Sequence, residues 1–152
     1  MPDRPGSDGE PAENEHPLDR RPPGRDSATV KAVGKLSEAL EIVEEARGHL
    51  YAFHRLTGTA DFAVIEAADL LDGAGHGELA TRLRAEIIGR NVLPGRWTFQ
   101  IVEEYDVGYY ATIQALEATV RDDLMAGQRH VYEAELKAER RTPGLAGHEA
   151  AP

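Results

Sequence analysis

Glu44, Arg47, Tyr51 and His54 have the residue types and the spacing for polar chemistry. At intervals of three, four and three residues they fall along one side of a helix. A histidine beside an arginine and a carboxylate can serve as a ligand site for a small anion or as a proton-transfer group. The same groups can instead satisfy one another where a helical bundle opens to water, with Glu44 pairing Arg47 under Tyr51. If an anion binds, Arg47, His54 and Arg96 are the groups to receive it.

A second concentration lies in "NVLPGRWTFQIVEEYDVGYY", Asn91 to Tyr110, which holds the only tryptophan and three of the five tyrosines. Its acids are Glu103, Glu104 and Asp106. Two carboxylates in a pocket can do acid–base work or hold a metal. Neighbouring residues on a helix diverge by about 100°, so Glu103 and Glu104 do not converge on one ligand. These acids read as the wet side of an amphipathic helix. Trp97, flanked by Arg96 and Tyr110, is the expected contact surface, because Trp, Tyr and Arg dominate interface hot spots. Packing of Trp97 into the core is the other reading.

Other chemistries find no support. A diiron bundle of the ferritin-like kind repeats Glu-x-x-His on two helices. Here that spacing occurs only at Glu13 and His16; Glu45 and His49 stand four apart, and His130 precedes Glu133. The chain has no cysteine, which removes disulfides, iron–sulfur clusters and thiolate zinc sites. "LLDGAGHGELA" lacks phosphate-loop spacing, and there is no Gly-x-Ser-x-Gly or Ser-x-x-Lys. No catalytic residue, metal or cofactor is assigned.

The elements that position these residues read as helices. "TVKAVGKLSEALEIVEEARGHLYAFHRLTG" places Val33, Leu36, Leu40, Val43, Leu50 and Phe53 at helical steps, with Thr29 as N-cap and Gly58 as terminator. A second helix is expected from Thr59 to Gly73 with Phe62, Ile65 and Leu70 setting its step, and a third through "GELATRLRAEIIGR", ending before Pro94. "WTFQIV" and "VGYYATI" have hairpin content, but the longer pattern favours helix. Thr98, Ile101, Val102, Tyr105, Tyr109, Thr112, Ile113, Leu116, Val120 and Leu124 share one helical face. That last helix is expected to reach Arg141, with a break or bend at Gly127. Unbroken, it would outrun the first helix and project to pair with another chain.

Residues 1–28 hold six of the nine prolines and seven acids against four arginines, the composition of a disordered acidic tail. Residues 142–152 read likewise as disordered. The expected fold is therefore all-α: a bundle of three to four helices over 29–141, with a long C-terminal helix and disordered termini. The net charge of −10 argues against nucleic acid and anionic membrane as partners. No apolar run approaches the roughly 18 residues of a membrane span, and the N-terminus has no signal-peptide pattern, so the chain reads as cytoplasmic. The expected function is non-catalytic: contact with an unidentified protein or self-association as a homodimer. A helical bundle holding a metal or small anion is the alternative.

Overall fold

In the computed structural model the described residues are 21–149, and they form an all-α chain. The elements are α1 (Ser27–Gly73), α2 (Gly77–Glu86), α3 (Thr98–Tyr105), a π-helical turn (Asp106–Tyr110), α4 (Ala111–Met125) and α5 (Val131–Arg140). Among the described residues there is no strand, only an isolated bridge between Leu93 and Arg96. The helical reading of "WTFQIV…VGYYATI" therefore holds.

The long helix is the first one and not the last. α1 runs for 47 residues, about 70 Å at 1.5 Å per residue, merging the two helices expected on either side of Gly58. Gly58 does not adopt the left-handed conformation that would end a helix. The flanking hydroxyls stay in register with the helix: Thr57 donates to Phe53 O at 2.8 Å and Thr59 to Arg55 O at 3.0 Å. The N-terminal cap is Asp26, not Thr29: its Oδ1 accepts the Thr29 N–H at 2.7 Å. At the other end, α4 stops where Ala126 and Gly127 turn left-handed, and left-handed His130 precedes α5. Residues 1–20, including most of the expected acidic tail and the Glu13–His16 pair, lie outside the described residues, as do residues 150–152.

The chain divides into two compact units. One takes the start of α1, up to Ala39, with the chain from Ala115 onward. Its core is Val30, Val33, Met125 and Val131, with Val120, Leu124 and Tyr132 packed around them. Gly34 lets α5 approach α1 closely: a Cβ there would stand 2.8 Å from the Tyr132 Cβ. Glu117 is buried in this unit, accepting from Ser37 Oγ at 3.0 Å and Arg121 Nε at 3.2 Å. Arg121 also donates to Gly127 O at 3.0 Å, satisfying a carbonyl where α4 ends. Arg21 grips both Glu135 oxygens, at 2.7 and 2.8 Å.

The second unit is Leu40–Gln114. Here α1 turns inward two rows, Val43, Leu50, Thr57, Val64 and Leu71 on one, Arg47, His54, Asp61 and Ala68 on the other, all half-buried or buried. Ala68 of α1 and Ala80 of α2 are completely buried, and Arg84 ties α2 to α1 through Asp69 at 2.7 Å and Asp72 at 2.5 Å. Pro94-Gly95 makes the tight turn that leads into α3, Gly95 taking a φ of 70° that its missing Cβ permits. Phe53, Phe62 and Leu70, expected on inward faces, are exposed, and so are Leu79 and Ile87 of the next segment.

Candidate functional site

Glu44, Arg47, Tyr51 and His54 do line one side of α1, but a partner missing from the expected set organises them. That partner is Asp106, at the start of the π turn. Its carboxylate receives Arg47 Nε at 2.7 Å and Nη2 at 2.9 Å, a two-pronged pair, and the Tyr51 hydroxyl at 3.0 Å. The Arg47 guanidinium lies between two rings, with its carbon 4.8 Å from the Tyr51 centroid and 4.6 Å from that of Tyr110. Tyr110 donates to Glu44 Oε1 at 2.5 Å and accepts from Gln114 Nε2 at 2.8 Å. Glu44 thus bonds Tyr110 rather than Arg47.

The electrostatics follow from these contacts. The hydrogen bonds from Arg47 hold the Asp106 carboxyl below the usual carboxylate range, and the Tyr51 hydroxyl acts in the same direction. Asp106 in turn raises Arg47, whose charge is permanent. Glu44 beside the Tyr110 hydroxyl pushes that phenol upward, because a neighbouring anion disfavours phenolate. Asp106 is therefore held as the carboxylate that Arg47 pairs with, and Tyr110 as the neutral phenol that donates to Glu44. The guanidinium gives Nε and Nη2 to Asp106 and Nη2 also to the Tyr51 hydroxyl at 3.2 Å, with both rings close by, so it fastens α1 to the π turn.

The π turn explains why Asp106 and Tyr110 point inward. Ala111 N–H donates to Asp106 O five residues back, so this turn holds one residue more than an α-helical turn. Beyond it the inward face changes only in part: Ile113, Val120 and Leu124 keep the half-buried places expected of them. Tyr110 and Glu117 turn inward, while Tyr109 and Leu116, expected on the apolar face, are exposed. A straight helical projection has no means of locating such an insertion; Gly108 within "DVGYY" is the one local hint of a weakened helix.

His54 stands apart from this cluster, its Nδ1 2.7 Å from Thr98 Oγ1. His49 and Glu45 are exposed at 3.8 Å, and so are His130 and Glu133 at 3.9 Å. Among the described residues no three His, Asp or Glu side chains gather as a metal site. Arg96 pairs with Glu104 at 2.7 Å. Trp97 is 59% exposed and meets Phe99 edge-on at 5.4 Å between centroids. Of the expected contact residues, Arg96 and Trp97 are chain neighbours, whereas Tyr110 belongs to the Arg47 cluster. Trp97 borders an open groove of about 580 Å³ whose walls include Val64, Ile87 and Val92, with Asp61 and Asn91 among its polar groups. Among the described residues no helix is long and apolar enough to cross a membrane. Compared with family models, with curated proteins and with solved structures, the chain matches none.

Proposed function

We propose that this chain is a non-catalytic cytoplasmic helical protein that works through protein–protein contact, and that its first partner is a second copy of itself. The observation that carries the reading is the exposure of its large apolar side chains. Phe62 is 75% exposed, Leu56 68%, Leu70 67% and Trp97 59%, whereas the fully buried apolar residues of the same unit are Ala68, Ala80 and Val102. Apolar surface on that scale in a monomer marks a surface that another protein covers. The polar cluster around Arg47 supports the same reading, since its groups are committed to one another and leave little to engage a substrate.

Sedimentation equilibrium of the purified full chain across the micromolar range tests this. A species of twice the monomer mass is expected. A monomer at every concentration would overturn self-association. Near-stoichiometric iron, manganese or zinc in the untagged protein, read by elemental mass spectrometry, would overturn the non-catalytic reading in favour of a metal-holding bundle.

A further inference from the structure

α1 carries, beside its inward rows, an outer row that nothing among the described residues covers. Ile42, Ala46, His49, Phe53, Leu56, Ala60, Ala63, Ala67 and Leu70 follow one another at alternating steps of four and three. Every one of them is exposed, and all but His49 are apolar. Alternating three- and four-residue steps sustained over four heptads are the signature of a coiled-coil seam. We propose that this row is the seam of an antiparallel homodimer, α1 against α1, about a two-fold axis level with Gly58. The proposal rests on the self-association reading above and adds the face, the orientation and the register.

Side-chain size decides the orientation. An antiparallel pair sets each first-row residue of one helix opposite a second-row residue of the other. Reversed about residue 58, Leu70 meets the partner's Ala46, His49 the partner's Ala67, Phe53 the partner's Ala63, and Leu56 the partner's Ala60. Each large side chain of that stretch lies opposite an alanine, and the two-fold repeats the match. A parallel pair in register would set each of Ile42, His49, Phe53, Leu56 and Leu70 on its own copy, and each of Ala46, Ala60, Ala63 and Ala67 on another alanine. Such layers alternate between crowding and voids, and both are destabilising. Self-matching of this kind is what a two-fold interface requires of a single surface.

Charge selects the same register. Glu45 and Glu66 flank the seam on one side, with Ala52 and Thr59 between them. With the axis at Gly58, Glu66 lies beside the partner's Ala52 and Glu45 beside the partner's Gly73, so no carboxylates face each other. Moving the axis half a heptad toward the N-terminus would set Glu45 against the partner's Glu66. Antiparallel helices also oppose their dipoles favourably. Ile42, Phe53, Leu56 and Leu70 together expose on the order of 450 Å², and the alanines and flanking stems add to this toward the roughly 800 Å² per copy of a standard interface.

The absence of native cysteine makes the test direct. Thr59→Cys and Glu45→Cys, each carrying a nitroxide label, are measured separately by double electron–electron resonance. Thr59 labels should lie within about 20 Å of one another, and Glu45 labels about 39 Å apart along the axis, from the rise per residue and the helix diameter. Ala60→Glu should weaken the dimer at least about tenfold while leaving the far-UV circular dichroism unchanged, because the site is exposed. Short distances at both positions mean a parallel pair and overturn the proposal. A dimer that survives Ala60→Glu but is lost on Trp97→Ser overturns the seam while keeping self-association. A wild-type monomer overturns both.

Discussion

Replacing Gly34 by alanine adds one methyl group where α1 meets α5. On helix propensity alone the change should stabilise α1 by about 1 kcal/mol. The new Cβ, however, would stand 2.8 Å from the Tyr132 Cβ, 3.1 Å from its Cγ and 3.2 Å from its Cδ1. Carbon atoms rest at about 3.5–4.0 Å, so α5 must retreat by roughly 1 Å. A Cβ cannot swing aside as a side-chain tip can; the backbone has to move. That retreat opens the packing of Val131 against Val30, Val33 and Met125, the core of this unit. Overpacking of this kind costs about 1–3 kcal/mol, leaving a net loss of up to about 2 kcal/mol once propensity is credited. Gly58→Ala is the matched control in the same helix: its Cβ meets nothing within 4 Å, so it should stabilise by about 0.5–1 kcal/mol. Urea denaturation followed by circular dichroism reads both variants. If Gly34→Ala proves as stable as Gly58→Ala, the close approach of α1 and α5 is wrong.

Three further outcomes are expected. Glu117→Ala leaves the half-buried Arg121 with only Asp122, at 3.6 Å, as carboxylate partner and removes the Ser37 contact, so stability should fall by about 2 kcal/mol in urea titration. A loss under about 1 kcal/mol would show that water reaches the pair. Asp106 has a lowered folded-state pKa, so its stabilising contribution is present above the unfolded value of about 4 and is lost as pH falls through the folded value. Asp106→Asn should therefore lose stability near neutrality and show a shallower decline below about pH 4; parallel wild-type and variant curves would reject the Arg47 clamp. Tyr110 has a raised pKa, so its contribution is present below about pH 10 and is lost as pH rises through the folded value. A spectrophotometric titration of Tyr110→Phe against wild type should lose a phenol that ionises above the usual tyrosine range; its loss from within the ordinary range would reject the Glu44 contact.

The polar cluster was half legible. Glu44, Arg47, Tyr51 and His54 share a side of α1 because a helix repeats every 3.6 residues, a local rule. Their partners come from 40 or more residues away, and no local rule supplies them. Asp106 read as a wet-side acid, yet the π turn aims it at Arg47. Leu116 and Glu117 exchanged roles for the same reason, one extra residue in a turn. The outer seam was hidden differently: its heptad steps run through Gly58, and a helix expected to end there breaks the row in two.

What the sequence determined by itself is what depends on composition and short-range periodicity. Helix content in Ala-, Leu-, Glu- and Arg-rich segments, the end of the third expected helix before Pro94, the break at Gly127 and the exclusion of thiol chemistry all belong here. Tertiary structure decided the rest: that α1 continues through Gly58, that a π turn shifts part of the face of the following helix, and which carboxylate Arg47 holds. Gly58 shows the physical reason. A glycine within a helix costs only about 1 kcal/mol, less than the packing of a few side chains on either side. Whether it ends the helix is therefore settled by what the neighbouring turns bury, and that depends on residues distant in the chain.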